Sequence, residues 1–116
     1  LHDAGVRLSR LSLTRWVDVV ATTPARVFGL YPRKGTIRPG SDADLVVFDP
    51  VATQVVSAAT HHMRVDYSPY EGWPVQGRVR TVLSRGDVIV EDGRFVGQRG
   101  RGRFLERAPF DVACLA

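Results

Sequence analysis

The sequence predicts an α+β chain in which two helices precede a small antiparallel β-sheet and an extended tail. Three patterns indicate this order. Apolar residues recur every three or four positions between Leu13 and Ala21, short β-branched segments separated by turn residues follow after position 43, and glycine and arginine dominate residues 97–107. A period near 3.6 residues is typical of an amphipathic helix, whereas short β-branched runs between turn residues are typical of strands. The chain has 116 residues, which is the length of one small domain.

The helical part contains a start signal for each of its two helices. Ser12 can cap the first helix, because its hydroxyl can accept a hydrogen bond from a free backbone N–H of the first turn. Thr23-Pro24 predicts the start of a second, short helix, with Thr23 as the cap and Pro24 at a position where its missing N–H costs nothing. Gly29 follows the apolar residues of this helix and is expected to end it.

The sheet is predicted from apolar segments that alternate with turn residues. Asp92-Gly93 predicts a tight hairpin turn, because both residues tolerate positive φ. Residues 57–77 have no period, and an irregular stretch of about twenty residues usually forms a functional loop or one ordered by a partner. Trp16, Phe28 and Trp73 are expected in a core or an interface. The predicted strands are residues 43–49, 54–56, 79–83, 87–91 and 94–96.

Composition limits the classes of protein without naming a partner. The formal net charge is +4, and Lys34 is the only lysine among the 16 basic residues. Surface arginine serves solubility, carboxylate pairing or phosphate binding, so the charge alone indicates no ligand. No stretch approaches the roughly 18 apolar residues of a membrane span. The single cysteine, Cys114, cannot form an internal disulfide, and we expect an inert thiol in a cytoplasmic protein.

The first residues are not those of a signal peptide or of a normal translation start. Leu1 to Gly5 show neither an initiator methionine nor a basic segment followed by an apolar one. The sequence opens in what looks like a loop before a helix. We therefore expect a fragment of a longer protein.

Separate segments of the chain resemble the dihydropyrimidinase/D-hydantoinase branch of the amidohydrolase superfamily. Two of them are similar to amidohydrolases broadly, and two are similar to this branch in particular; together they cover residues 1–107. The broad pair consists of residues 10–30, with Thr23-Pro24-Ala25-Arg26-Val27-Phe28-Gly29-Leu30, and residues 34–46, with Pro39-Gly40-Ser41-Asp42-Ala43-Asp44-Leu45-Val46. The narrow pair consists of His61-His62 with Asp66-Tyr67-Ser68-Pro69-Tyr70-Glu71-Gly72, and Ser84-Arg85-Gly86 with Asp92-Gly93 and Gly100-Arg101-Gly102-Arg103-Phe104.

The resemblance implies the C-terminal part of such an enzyme. Residues 1–31 would be the last helices of a TIM-type barrel, and residues 32–96 would be part of an accessory β-sandwich, with the long loop at 57–77. Strands from before the barrel complete this sandwich in enzymes of the family. Residues 97–116 would form an extended Arg/Gly-rich tail that reaches a neighbouring subunit of a homo-oligomer, with Phe104 and Phe110 as apolar anchors.

The resemblance also implies where the chemistry lies. Such enzymes hydrolyse a cyclic amide with water held between two divalent metal ions, here expected to be zinc. The ligands are a His-x-His pair, a carboxylated lysine, two further histidines and an aspartate on barrel strands. None of those motifs occurs in this sequence, and Lys34 lies in a turn-rich segment. We therefore expect no catalytic, cofactor-binding or metal-binding residue in this chain, and no activity of the chain alone on hydantoins or dihydropyrimidines.

Other residue patterns in the chain give little support for a site. His61-His62 is the one histidine pair, but adjacent residues of a strand point to opposite faces, and His2 and Cys114 are far away in sequence. A Ser-His-Asp triad lacks the Gly-x-Ser-x-Gly turn that would support it. Gly100-x-Gly102 lacks the third glycine and the βαβ setting of a dinucleotide loop. Residues 66–70 are expected in a packed surface loop, with a position beside an active-site mouth as the alternative.

Other functions remain open at this point. Within the superfamily, an allantoinase or dihydroorotase fragment and a non-enzymatic dihydropyrimidinase-related scaffold are the alternatives. Residues 98–104 resemble arginine-glycine segments that bind RNA through phosphate contacts and stacking. The motif occurs once, so nucleic acid is not the expected partner. The expected partners are the remainder of the enzyme and its neighbouring subunits.

Overall fold

The computed structural model describes residues 1–109, and Phe110 and Cys114 lie outside them. A π-helical turn, His2–Arg7, is followed by helix α1 (Leu13–Val17), a second π-helical turn (Asp18–Thr22) and helix α2 (Thr23–Val27). The sheet then contains β1 (Leu45–Val55), β2 (Pro74–Ser84), β3 (Asp87–Glu91) and β4 (Arg94–Phe95). The predicted order of helices before an antiparallel sheet is confirmed.

Helix α2 begins at Thr23 as predicted, but the predicted capping role of Thr23 is wrong, because Thr23 is itself helical with φ and ψ of −60° and −47°. Thr22, the residue before it, already has helical φ and ψ of −70° and −52°. The Thr23 N–H donates to the Asp18 carbonyl, five residues earlier, and its hydroxyl donates to the Asp18 carboxylate at 3.0 Å. This wider turn precedes Pro24, whose ring would crowd the carbonyl four residues before it in a regular helix. The chain thus passes the proline without a break.

The two ends of this helical segment agree with the sequence. The Ser12 hydroxyl accepts from the Arg15 N–H at 3.1 Å, which confirms the predicted cap. Gly29 follows the last helical residues with φ of 65°, a left-handed conformation that confirms its role in ending the helix.

The sheet is an antiparallel meander in the order β1-β2-β3-β4. The two strands predicted at 43–49 and 54–56 are one strand, β1, with an irregular register between Asp49 and Thr53. Pro50 donates no hydrogen bond at this bulge, and the Asp49 carboxylate accepts from the N–H groups of Val51 and Ala52, both at 3.0 Å. The bulge therefore bends the strand without ending it.

The long loop between β1 and β2 differs from the prediction in its bounds, whereas the Asp92-Gly93 turn agrees with it. Strand β2 begins at Pro74, so the long loop is residues 56–73 and not 57–77. Asp92 and Gly93 have φ of 46° and 81°, which confirms the predicted tight hairpin turn. The turn between β2 and β3 has the same form.

The chain has almost no buried core of its own. Among residues 1–109, Ala25 is the only buried hydrophobic residue. Trp16 is half-buried, whereas Phe28 and Trp73 are 55% and 56% exposed. The chain exposes 8910 Å², and a folded monomer of this mass exposes about 6,300 Å². The apolar faces of these elements are therefore left for something else to cover.

Candidate functional site

The helical segment contacts the sheet through three aromatic rings. The Phe48 ring centroid on β1 lies 4.7 Å from that of His2 and 5.1 Å from that of Trp16. His2 and Trp16 are 5.3 Å apart. Tilted and edge-on packing of this kind stabilises aromatic contacts beyond the area that they bury. We call His2, Trp16 and Phe48 the ring cluster.

Residues of the N-terminal turn also bind the backbone of β2. His2 Nδ1 lies 3.1 Å from the Gln76 carbonyl oxygen and donates to it in the tautomer that this contact favours. The Asp3 carboxylate accepts from Arg7 Nε at 2.7 Å and from the Gln76 N–H at 3.1 Å, and both contacts lower the pKa of Asp3. The turn thereby holds both backbone groups of one residue in the sheet.

Sequence reasoning missed this contact. It treated residues 1–5 as a loop and weighed His2 only as a distant metal ligand. The signal was Gly77, a glycine inside a strand, which often marks the close approach of another group. A Cβ at Gly77 would lie 2.5 Å from Phe48 Cζ and 2.7 Å from His2 Nδ1.

A cluster of charged residues fixes the connection between helices and sheet. Lys34 Nζ lies 2.8 Å from Asp42 Oδ2 and also pairs with Asp44, while Arg33 lies 3.2 Å from Asp42. Asp44 accepts a further hydrogen bond from the Arg85 N–H in the β2–β3 turn at 2.8 Å. The lone lysine therefore has a structural use, in which it ties the connection to one end of the sheet.

The pKa values within this cluster are shifted towards the charged forms. Hydrogen bonds from Lys34 and then Arg33 lower the pKa of Asp42. Partial burial opposes the charge of Asp44, but the contacts with Lys34 and the Arg85 N–H outweigh it and lower its pKa. Burial likewise opposes the charge of Lys34, and its two aspartates raise its pKa above the ordinary value.

Removal of this lysine is expected to cost stability in a pH-dependent way. A carboxylate with a lowered pKa stabilises the fold above its unfolded pKa, and this contribution disappears as the pH falls through the folded value. In Lys34→Ala, the pKa of Asp42 should rise towards the ordinary 3.8 in a ¹³C NMR titration, and Arg33 should keep it below that value. The melting temperature should fall at pH 7, and the difference from the unsubstituted chain should shrink as the pH falls below 3.8. Arg38→Ala, an exposed cation in the same connection, is the control; equal losses for the two variants would contradict this account.

Two arginines hold the tail to the sheet: Arg101 of the tail binds residues at the β2–β3 turn, and Arg85 of that turn binds the tail. Arg101 donates to the Ser84 carbonyl at 2.8 Å and to the Asp87 carboxylate at 2.6 Å, while Arg85 donates to the Arg101 carbonyl at 2.5 Å. Further along, the Ala108 N–H donates to the Gly29 carbonyl at 2.9 Å. Between these two contacts, Phe104 is 91% exposed.

The residues that the structure describes do not fit a metal pair. Within residues 1–109, no three His, Cys, Asp or Glu side chains come together as a metal site requires. His61 Nδ1 accepts from the Met63 N–H at 3.1 Å, and His62 is exposed. Also within these residues, no helix has the length and apolarity needed to cross a membrane. The arrangement of the described side chains supports contacts between segments of the chain.

Comparison with known proteins decides the family. The model of the Amidohydrolase family matches residues 5–89, which is most of the chain. The chain belongs to the amidohydrolase family. This amidohydrolase chain is 55% identical to the D-hydantoinase of Streptomyces coelicolor over 108 residues, and the match covers 93% of this chain and 23% of that protein. It is 50% identical to the D-hydantoinase of Geobacillus stearothermophilus over 110 residues, and this match covers 95% of this chain and 23% of that protein.

Solved structures agree with the sequence relatives. The D-hydantoinase of Bacillus sp. AR9 superposes with a TM-score of 0.90 at 51% identity, over 95% of this chain and 24% of that one. The dihydropyrimidinase of Brevibacillus agri NCHU1002 superposes with a TM-score of 0.91 at 49% identity, over 96% of this chain and 24% of that one. These matches confirm the resemblance to the hydantoinase and dihydropyrimidinase branch. The amidohydrolase chain spans about a quarter of the length of the relatives that it matches.

Proposed function

We propose that this chain is the non-catalytic C-terminal part of a metal-dependent cyclic amide hydrolase of the hydantoinase/dihydropyrimidinase type, in the cytoplasm. The observation that carries the proposal is the match to D-hydantoinases, at 50–55% identity over nearly the whole chain but only 23% of theirs. In this proposal, residues 1–31 are the last barrel helices, residues 32–96 are part of the accessory β-sandwich, and residues 97–116 are the tail.

The contacts within the chain support a structural role. The ring cluster and the His2 and Asp3 contacts with Gln76 join the helical segment to the sheet, and the Lys34 cluster fixes the connection between them. These polar groups are engaged with one another, which leaves them unsuited to bind substrate. The large exposed surface and the near absence of a core fit a chain that is completed by the rest of a longer polypeptide.

The divalent metal pair, which we expect to be zinc, is proposed to lie in the rest of the enzyme. The hydrolysed cyclic amide would be a hydantoin or a dihydropyrimidine, bound there as well. The similarity to D-hydantoinases and D-phenylhydantoinases supports these substrates for the proposed enzyme over those of an allantoinase or a dihydroorotase. A non-enzymatic scaffold of the same fold would share every contact described above. The presence or absence of metal-ligand motifs in the longer protein distinguishes an enzyme from such a scaffold.

The tail is proposed to contact a neighbouring subunit. Its course is fixed on both sides of Phe104, by Arg101 and by Ala108, and this leaves the phenyl ring in solvent. An aromatic side chain on a held segment makes a suitable anchor, because little freedom is lost on binding. RNA binding through this tail is disfavoured, since Arg101 is already engaged with Asp87 and Ser84.

The chain alone is expected to have no hydrolase activity. It lacks a cluster of metal ligands in its described part, so added Zn²⁺ or Mn²⁺ should produce no turnover of hydantoin or dihydrouracil. The purified 116-residue chain would be assayed with each metal by chromatography of the ring-opened product. Turnover that a chelator abolishes and that follows the chain through a second purification would contradict the proposal.

A further inference from the structure

After β4 the chain follows β3 to the β2–β3 turn and then continues to the end of the helical segment. The Val96 N–H donates to the Ile89 carbonyl on β3 at 3.0 Å. Residues 101–109 then run without a helix, strand or turn. The stretch from Arg101 to Ala108 reaches at most about 25 Å when it is fully extended. This short stretch is attached to the rest of the chain at both of its ends.

The first attachment involves a residue in an unfavourable backbone conformation. Arg85 has a φ of 51°, in the left-handed region that most residues with a side chain avoid. Its side chain donates to the Arg101 carbonyl, and its N–H donates to the Asp44 carboxylate at 2.8 Å. Arg101 in turn donates to Asp87 and to the Ser84 carbonyl. The β2–β3 turn therefore holds the connection through its backbone and the tail through a side chain.

The second attachment is fitted to a glycine. The Ala108 N–H donates to the Gly29 carbonyl at 2.9 Å, and a Cβ at Gly29 would lie 2.1 Å from the Ala108 carbonyl oxygen. Only a glycine lets two backbones approach so closely. Gly29 thus ends helix α2 and also receives the tail. Residues 102–104 and 106–109 are exposed, so the stretch is held mainly by the contacts at its two ends.

We propose that residues 101–108 form a strap that ties the end of helix α2 to the β2–β3 turn and that opens and closes as one unit. Each contact keeps the partners of the other at a high local concentration, so the loss of either contact frees both. Opening exposes little further surface and leaves the sheet folded. The strap is formed within one chain, so this inference does not rest on the proposed function.

Hydrogen exchange in the intact polypeptide that carries this chain tests the coupling, with the Ala108 N–H as the reporter. Arg101→Ala removes the contact at the other end of the strap and should raise the exchange rate at Ala108 at least about tenfold. Arg103→Ala is the matched control and should change that rate less than about twofold. Arg103 is an exposed arginine of the same strap and forms no ion pair or side-chain hydrogen bond with another described residue. Mass spectrometry of overlapping peptides measures the strap and strands β2 and β3 in one sample.

A second variant separates the opening of the strap from the loss of the turn. In Arg85→Gly, the N–H that binds Asp44 remains, and glycine adopts the φ of 51° without a steric cost. Strands β2 and β3 should therefore exchange as in the unsubstituted protein. The guanidinium that binds the Arg101 carbonyl is absent, so exchange at Ala108 should still become faster.

The pattern of exchange decides between the strap and its alternatives. Faster exchange at Ala108 in Arg101→Ala and Arg85→Gly, with protected strands, supports the strap. Unchanged exchange at Ala108 in Arg101→Ala overturns it, because the two ends are then held independently, as when another part of the protein covers the tail. An equal rise in Arg103→Ala, or an equal rise in the strands, also overturns it. Turnover enters none of these outcomes, so missing hydrolase activity counts against the proposed function alone.

Discussion

Replacement of Gly77 by alanine is expected to destabilise the contact between helices and sheet more than any other single methyl group added to a glycine of this sheet. The new Cβ would lie 2.5 Å from Phe48 Cζ and 2.7 Å from His2 Nδ1. Both rings pack against Trp16, so neither moves away freely. The backbone φ of 115° adds a cost, because side chains rarely adopt it. Overpacking costs about 1–3 kcal/mol and an unfavourable left-handed backbone about 1–2 kcal/mol, so we expect a loss of roughly 2–5 kcal/mol.

A second glycine variant separates these two contributions. Gly40 has a φ of 88°, and a Cβ there meets nothing within 4 Å, so Gly40→Ala carries the backbone cost alone. Urea unfolding of the 116-residue chain, followed by Trp16 fluorescence in a Trp73→Phe background, gives the free energy of unfolding for each variant. If Gly77→Ala and Gly40→Ala unfold at the same urea concentration, the ring cluster does not constrain β2 and the account of this contact is wrong.

Features set by neighbouring residues could be predicted from the sequence. The Ser12 cap, the end of the helical segment at Gly29 and the Asp92-Gly93 turn each depend on the backbone preferences of a few adjacent residues. These features are local, so a pattern within a few positions contains the information that fixes them.

Two local patterns led to wrong predictions because contacts made elsewhere prevailed. Thr23-Pro24 has the form of a capped helix start, and α2 does begin there, yet Thr23 is not a cap, because its N–H and hydroxyl donate to the Asp18 carbonyl and carboxylate. Pro50 has the form of a strand end, yet the Asp49 carboxylate takes the freed N–H groups, and β1 continues. In both cases an aspartate binds donors of residues next to the proline.

The partners of contacts between distant parts of the chain could not be predicted from the sequence, because Gly77 signals a close approach without showing which group approaches. His2 and Gln76 are 74 positions apart, and nothing near His2 marks it as a partner for a strand. The outward direction of Tyr67 and Trp73 was equally hidden, because residues 56–73 have no period that would separate an inner from an outer face. The family resemblance, in contrast, depends on short motifs and was correct.

Transfer of the chain into a related enzyme is expected to give an active hydrolase. In a chimera, these 116 residues would replace the matching segment of the Streptomyces coelicolor D-hydantoinase, which is 23% of that protein and 55% identical. The host keeps the remainder of its own chain, and in our proposal this remainder contains all metal ligands and substrate contacts. Turnover of a D-hydantoinase substrate should therefore stay within about tenfold of the host, equivalent to about 1.4 kcal/mol in activation free energy.

Turnover and metal content of this chimera test the central claim most directly. The matched control is the host with the same segment deleted, which should lose both its assembly and its activity, since in our proposal this segment supplies barrel helices and sandwich strands. We expect the chimera to retain host-like turnover and the same number of metal ions per chain. A chimera that folds and assembles like the host, holds fewer metal ions and has lost its turnover would contradict the claim that this chain supplies structure and not chemistry.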